Sequence, residues 1–197
     1  MQIKSDIKPD SHQHDSVWLQ FYFEINRLKL LYRQGWLKRG IPKEVCESVA
    51  EHSFGLALIA LLLASQSPTP LNLEKVLTLA LIHDLGEIHA GDITPVDGIL
   101  SSEKYQLELA SIKKTFEKLP NGQKYILLWE EYESGKSPEA EFIRQIDRLE
   151  MGLQACVYEW LEGNDLTEFM KSAESALELP PLKQIMDDIY RSRPTSF

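Results

Sequence analysis

Cysteine is almost missing from this chain: only Cys46 and Cys156 occur, far apart and outside any Cys-x-x-Cys pattern. That argues against a disulfide framework and a thiolate zinc site, and it suits a reducing cytosol. Basic charge is also scarce, with 21 Lys and Arg against 30 Asp and Glu and a net charge of −9. General coating of nucleic acid and binding to an anionic membrane both need a basic face, so neither is expected. Long apolar runs are lacking too. The richest, Phe54 to Ala64, covers 11 residues, against the ~20 that cross a bilayer. The polar start, Met1 to Ser16, has no apolar segment of the signal-peptide kind. No P-loop, dinucleotide-binding glycine motif, repeat or low-complexity tract is found. The expectation is a soluble, cytoplasmic protein with no nucleic-acid or membrane partner.

What is present is an ordinary globular composition, 43% hydrophobic and 26% charged over 197 residues, enough for one domain with a sizeable core. Residues 1–16 read as a flexible tail, with His12 and His14 in a polar setting. Residues 17–197 read as one all-α helical bundle. Helical spacing of apolar residues predicts helices over Val17–Tyr32, Val49–Ala64, Leu73–Glu87, Ser101–Leu119, Tyr125–Tyr132 and Glu139–Leu161, then one or two more broken at Pro180-Pro181. Gln34–Pro42, with Gly35, Gly40 and Pro42, reads as a loop. Ser48 with Glu51 has the form of a capping box. The helix after it is apolar nearly all round, which predicts a central position.

Several polar residues stand out against this background. Between Arg27 and Lys43 lie six basic residues and no acidic one, a segregation that either gathers a phosphate-bearing ligand or forms a solvated face. Trp36, in its middle, either packs on the core or walls a ligand. His52 sits on an apolar helix face. Leu79–Glu87 is an apolar run that ends in the pair His83-Asp84, with Glu87 one turn later on the same face if the helix continues. Beyond it, Asp92 and Thr94 lie in a polar loop where they can bond a sugar hydroxyl, although Asp92 can equally cap a turn. Asp147 borders the apolar stripe of its helix and either pairs with Arg144 or Arg148 or turns inward.

Taken in order, His52, His83-Asp84 and Asp147 supply two imidazoles and two carboxylates, a set suited to one divalent ion such as Mn, Co, Fe or Zn. This pattern resembles the HD-domain phosphohydrolase superfamily. The stretches Glu-Ser-Val-Ala-Glu-His-Ser (47–53), Leu-Ile-His-Asp-Leu-Gly-Glu (81–87), Gly-Asp-Ile-Thr-Pro (91–95) and Gln-Ile-Asp-Arg-Leu-Glu (145–150) resemble its 5′-deoxynucleotidase branch. The resemblance implies an HD-type helical fold and removal of phosphate from deoxyribonucleoside 5′-monophosphates. It implies His52, His83, Asp84 and Asp147 as metal ligands, with Glu87 or Asp84 handling protons. It places Arg33, or alternatively Arg39, at the phosphate, Trp36 against the sugar C2′ and Asp92 on the sugar's other side. A homodimer is also expected. The alternatives are another nucleotide phosphoester, hydrolysed by a phosphohydrolase or phosphodiesterase of the same superfamily, or a metal- and nucleotide-binding module without turnover. Only His89 and the tail pair remain as further histidines, which favours a single tightly held metal.

Overall fold

The computed structural model describes residues 16–194. The predicted tail, with His12 and His14, therefore lies outside the described residues except for Ser16. The elements run α1 (Val17–Ile25), α2 (Gln34–Leu37), α3 (Val49–Leu63), α4 (Leu73–Ile82), α5 (Glu87–Ala90), α6 (Ser101–Phe116), α7 (Gly122–Ser134), α8 (Pro138–Glu162), α9 (Thr167–Ala176) and α10 (Pro180–Arg191), and no strand is formed among the described residues.

Local chemistry accounts for the ends. Ser48 Oγ accepts from Glu51 N at 3.2 Å while the Glu51 carboxylate accepts from Ser48 N at 2.7 Å, so the capping box starts α3 as expected. Asn72 caps α4 through Lys75 N, and Ser137 caps α8 with Pro138 in its first turn. The first predicted helix is shorter than its periodicity suggests: after Ile25 the chain tightens into a 3-10 turn, Asn26–Lys29. The predicted loop at 34–42 opens with a single helical turn, α2, entered from the extended Arg33 and followed by Gly40 at φ +84°. The predicted helix over Leu73–Glu87 stops at Ile82. Residues 83–86 tighten into shorter turns, and Glu87 opens the separate α5, which Gly91 ends at φ +81°.

Two apolar clusters form the interior. One joins Leu56 and Ala60 of α3, Leu79 of α4, Ile143, Ile146 and Leu149 of α8, and residues of α9 and α10. The other joins Val49, Ile82, Leu85, Ile112, Phe116 and Trp129. His52 lies between Val49 of one cluster and Leu56 of the other, and His83 follows Ile82 at the same seam. The chain thus keeps its polar centre where two cores meet, on helices fixed by both.

Helical spacing puts Val157 of α8 and Leu107 of α6 on the inner faces of their helices, but both face outward, and Glu150, Glu159 and Glu108 are buried on those helices instead. Over 25 residues α8 outruns a fixed stripe, since a period of 3.6 drifts against a repeat of seven. α3 is central on one face only: His52, Leu56 and Ala60 are buried, but Phe54, Leu58, Leu61 and Leu62 stand exposed, Leu62 at 72%. Val49–Gln66 is apolar enough by length and composition to cross a membrane, with mean hydropathy 1.4. Its inner face nevertheless packs on α4 and α8.

Candidate metal and substrate site

Three side-chain atoms, from His52, His83 and Asp84, cluster at the seam, and Asp147 joins them through His52. His52 Nε2 stands 3.3 Å from His83 Nε2, 3.2 Å from Asp147 Oδ1 and 3.6 Å from Asp84 Oδ2, and His83 Nε2 is 3.2 Å from Asp84 Oδ2. Asp147 therefore turns inward rather than pairing with Arg144 or Arg148. Ligand atoms about 2.1 Å from a divalent ion stand roughly 3.0 to 3.4 Å apart, depending on geometry. Three of the four spacings fall in this range, and His52 to Asp84, at 3.6 Å, lies just beyond it.

The imidazoles are oriented for the task. His83 Nδ1 is 2.9 Å from the Ala80 carbonyl, which can only accept, so the proton sits on Nδ1 and the Nε2 lone pair faces the centre. His52 Nδ1 lies 2.7 Å from Glu150 Oε2, a carboxylate that orients it in the same way. Two lone pairs and the Asp84 carboxylate around one point, with the Asp147 carboxylate against His52, call for a cation. Burial and the Arg33 charge work against a positive His52, yet Asp147 and Glu150 prevail and push its pKa up to about 10. The extra proton would occupy the position a metal takes. Burial opposes charge on Asp147 and Asp84 as well. Their cationic neighbours outweigh it, bringing Asp147 down to about 2 and holding Asp84 below the usual carboxylate range.

Above this centre opens a cavity of about 570 Å³, large enough for a nucleotide. Arg33 lines it and donates from Nη1 to Asp84 Oδ2 at 3.1 Å. Burial disfavours the Arg33 charge, but Asp84 and then Asp147 keep it protonated. Arg39 instead pairs with Glu168 on the exterior and does not line the cavity. Glu87 is 4% exposed and lines the cavity, and its Oε2 has no hydrogen-bond partner. Burial, then the charges of Asp84 and Asp92, raise its pKa well above the ordinary value, which disposes the carboxyl to hold a proton.

The remaining predicted contacts are present but already engaged. Trp36 is buried, donates from Nε1 to Glu47 Oε1 at 2.8 Å, and packs against Phe169 and Tyr158, so it is a core residue with one edge toward the cavity. Asp92 Oδ2 accepts from Gln34 N and ties the 91–95 loop to the start of α2. Thr94 lines the cavity, but its hydroxyl bonds Asp97 at 2.7 Å and accepts from Lys38 at 2.7 Å. Sequence reasoning passed over Glu150 and Lys104. Glu150 was visible as an acid three residues after Asp147, on the same helical face. Lys104, which reaches the Ile93 carbonyl at 3.2 Å and steadies the loop, left no local signal.

Comparisons with known proteins agree with this geometry. The HD-domain family matches residues 25–183. The 5′-deoxynucleotidase HDDC2 of Homo sapiens is 35% identical over 182 residues, covering 90% of this chain and 87% of that protein. The 5′-deoxynucleotidase hdd1 of Schizosaccharomyces pombe is 32% identical, covering 86% of each. Among solved structures, a protein of Pyrococcus horikoshii superposes with a TM-score of 0.76 at 33% identity, covering 89% of this chain and 99% of that one.

Proposed function

The chain belongs to the HD-domain family, and from that premise we propose that it is a metal-dependent 5′-deoxynucleotidase, releasing phosphate from deoxyribonucleoside 5′-monophosphates. The observation that carries this reading is the cluster of His52, His83 and Asp84, with Asp147 against His52, at the edge of a cavity lined by Arg33 and Glu87.

In this reading those four side chains hold one divalent ion of the Mn, Co, Fe or Zn type. When bound, the ion supplies charge neutralisation at the phosphoryl group and an acidified water. Arg33, fixed by Asp84, binds and orients the phosphate. Glu87 holds a proton on a carboxyl group whose Oε2 is unpartnered, available to the departing 5′-oxygen. The edge of Trp36 walls the sugar side, where a 2′-hydroxyl would be crowded. Asp92 and Thr94 shape the same wall chiefly through the loop they fix. Two unpaired cysteines suit a cytoplasmic setting. The exposed apolar stripe of Phe54, Leu58, Leu61 and Leu62 supports a homodimer that covers α3.

The test is phosphate release from deoxy- and ribonucleoside 5′-monophosphates, with and without Mn or Co, by the native protein and Glu87→Ala. Metal-dependent release favouring the deoxy substrates, and lost in Glu87→Ala, is expected. No release from any monophosphate by metal-loaded protein would sink the reading.

A further inference from the structure

The cavity is lined by more than the phosphate and sugar positions require. On α8, Asp147 belongs to the proposed metal site, and Arg148 beside it and Met151 one turn on also line the cavity. α9, which packs on α8, adds Phe169 and Ala176 to the same lining. Phe169 packs against Trp36 with ring centroids 4.4 Å apart, so its ring is held at the cavity wall by the residue assigned to the sugar side. Together Met151, Phe169 and Ala176 give the cavity an apolar, partly aromatic lobe, the surface a flat heterocycle needs.

The charged residues around the lobe differ in one respect. Arg33 is bound to Asp84, Lys104 to Glu108 and the Ile93 carbonyl, and Arg144 to the Tyr132 and Glu133 carbonyls. Arg148 is exposed, lines the cavity, and is the one lining cation with no hydrogen-bond or ion-pair partner among the described residues. A guanidinium offers donors only, in a fork that fits two adjacent acceptors. Guanine presents O6 and N7 in that arrangement, and cytosine presents O2 and N3. Adenine sets a donor amino group beside N7.

We propose that the lobe between Met151, Phe169 and Ala176 takes the nucleobase, and that Arg148 reads its edge, favouring guanine and cytosine over adenine. This deepens the nucleotidase reading and rests on it for the identity of the ligand. Binding and turnover can still fail separately.

The experiment is calorimetric titration of Mn-loaded Glu87→Ala protein, in which turnover is stopped, with dGMP, dCMP, dAMP and inorganic phosphate, repeated in Glu87→Ala/Arg148→Ala. Because Arg148 is exposed, its removal should leave the fold intact, which circular dichroism checks. The expected result is a Kd for dGMP and dCMP weakened about tenfold, with dAMP and inorganic phosphate changed less than about twofold. A matching loss for inorganic phosphate would move Arg148 to the phosphoryl group and overturn the proposal. Equal losses for all three nucleotides, or none, would overturn edge reading. Selective loss of dGMP and dCMP binding in a protein whose native form releases no phosphate would keep this inference while sinking the enzymatic one.

Discussion

Replacing Glu150 by Gln removes a charge and almost no volume, and it acts on the metal centre through one contact. Glu150 Oε2 lies 2.7 Å from His52 Nδ1, and both side chains are buried. The carboxylate fixes the tautomer that turns Nε2 toward His83, Asp84 and Asp147, and it makes that nitrogen more basic. Losing such an orienting partner typically costs about 10- to 100-fold in metal affinity, or about 1.4 to 2.7 kcal/mol. Competition of the metal-stripped protein with a chelating dye, at fixed pH, reads this directly. A pH signature separates the effect from general damage. His52 in the metal-free fold is raised from 6.5 to about 10 by Asp147 and Glu150 acting against burial. The stability it contributes is therefore complete below about pH 6.5 and lost as the pH climbs toward 10. In Glu150→Gln that decline should still begin near pH 6.5 but end at a lower pH and be smaller. Unchanged metal affinity together with an unchanged pH profile would refute the carboxylate's role at His52.

Other expectations follow from the same structure. Arg193 pairs with the fully buried Glu159 at 2.7 Å, so Arg193→Ala strands a buried charge and should cost about 3 to 5 kcal/mol in denaturant unfolding; a loss below about 1 kcal/mol would contradict the pairing. Burial raises Glu108 to about 7 against the pull of Lys104, so native stability should fall as the pH rises from about 4.5 to 7, and Glu108→Gln should flatten that slope. A slope of the opposite sign would mean that Glu108 is ionised in the fold. Phe54→Asp/Leu62→Glu on the exposed stripe should halve the mass seen by light scattering while helicity is retained; a native protein that is already monomeric would contradict the dimer.

The reach of the sequence can be judged from single residues. His52, the His83-Asp84 pair and Asp147 were legible because three short motifs in a fixed order carry them, and the apolar periodicity around them predicted the helices that bring them together. The inward turn of Asp147 was not decidable from spacing, since a residue bordering a stripe can face either way; burial beside His52 decides it. The break after Ile82 escaped notice because Leu85 and Glu87 keep helical spacing, and only tertiary packing in the second cluster tightens the turns there. Composition likewise placed α3 at the centre without showing which of its apolar faces another helix would cover. Trp36 shows the same ambiguity, a buried core residue with one edge at the cavity.

The most direct measurement is a titration of metal-stripped protein with Mn, following bound metal per chain and phosphate released from a deoxynucleoside 5′-monophosphate in the same samples. No release is expected at zero occupancy, with a rise as metal binds to a plateau near one ion per chain. Full release by the stripped protein, or one bound ion per chain without release, would contradict it.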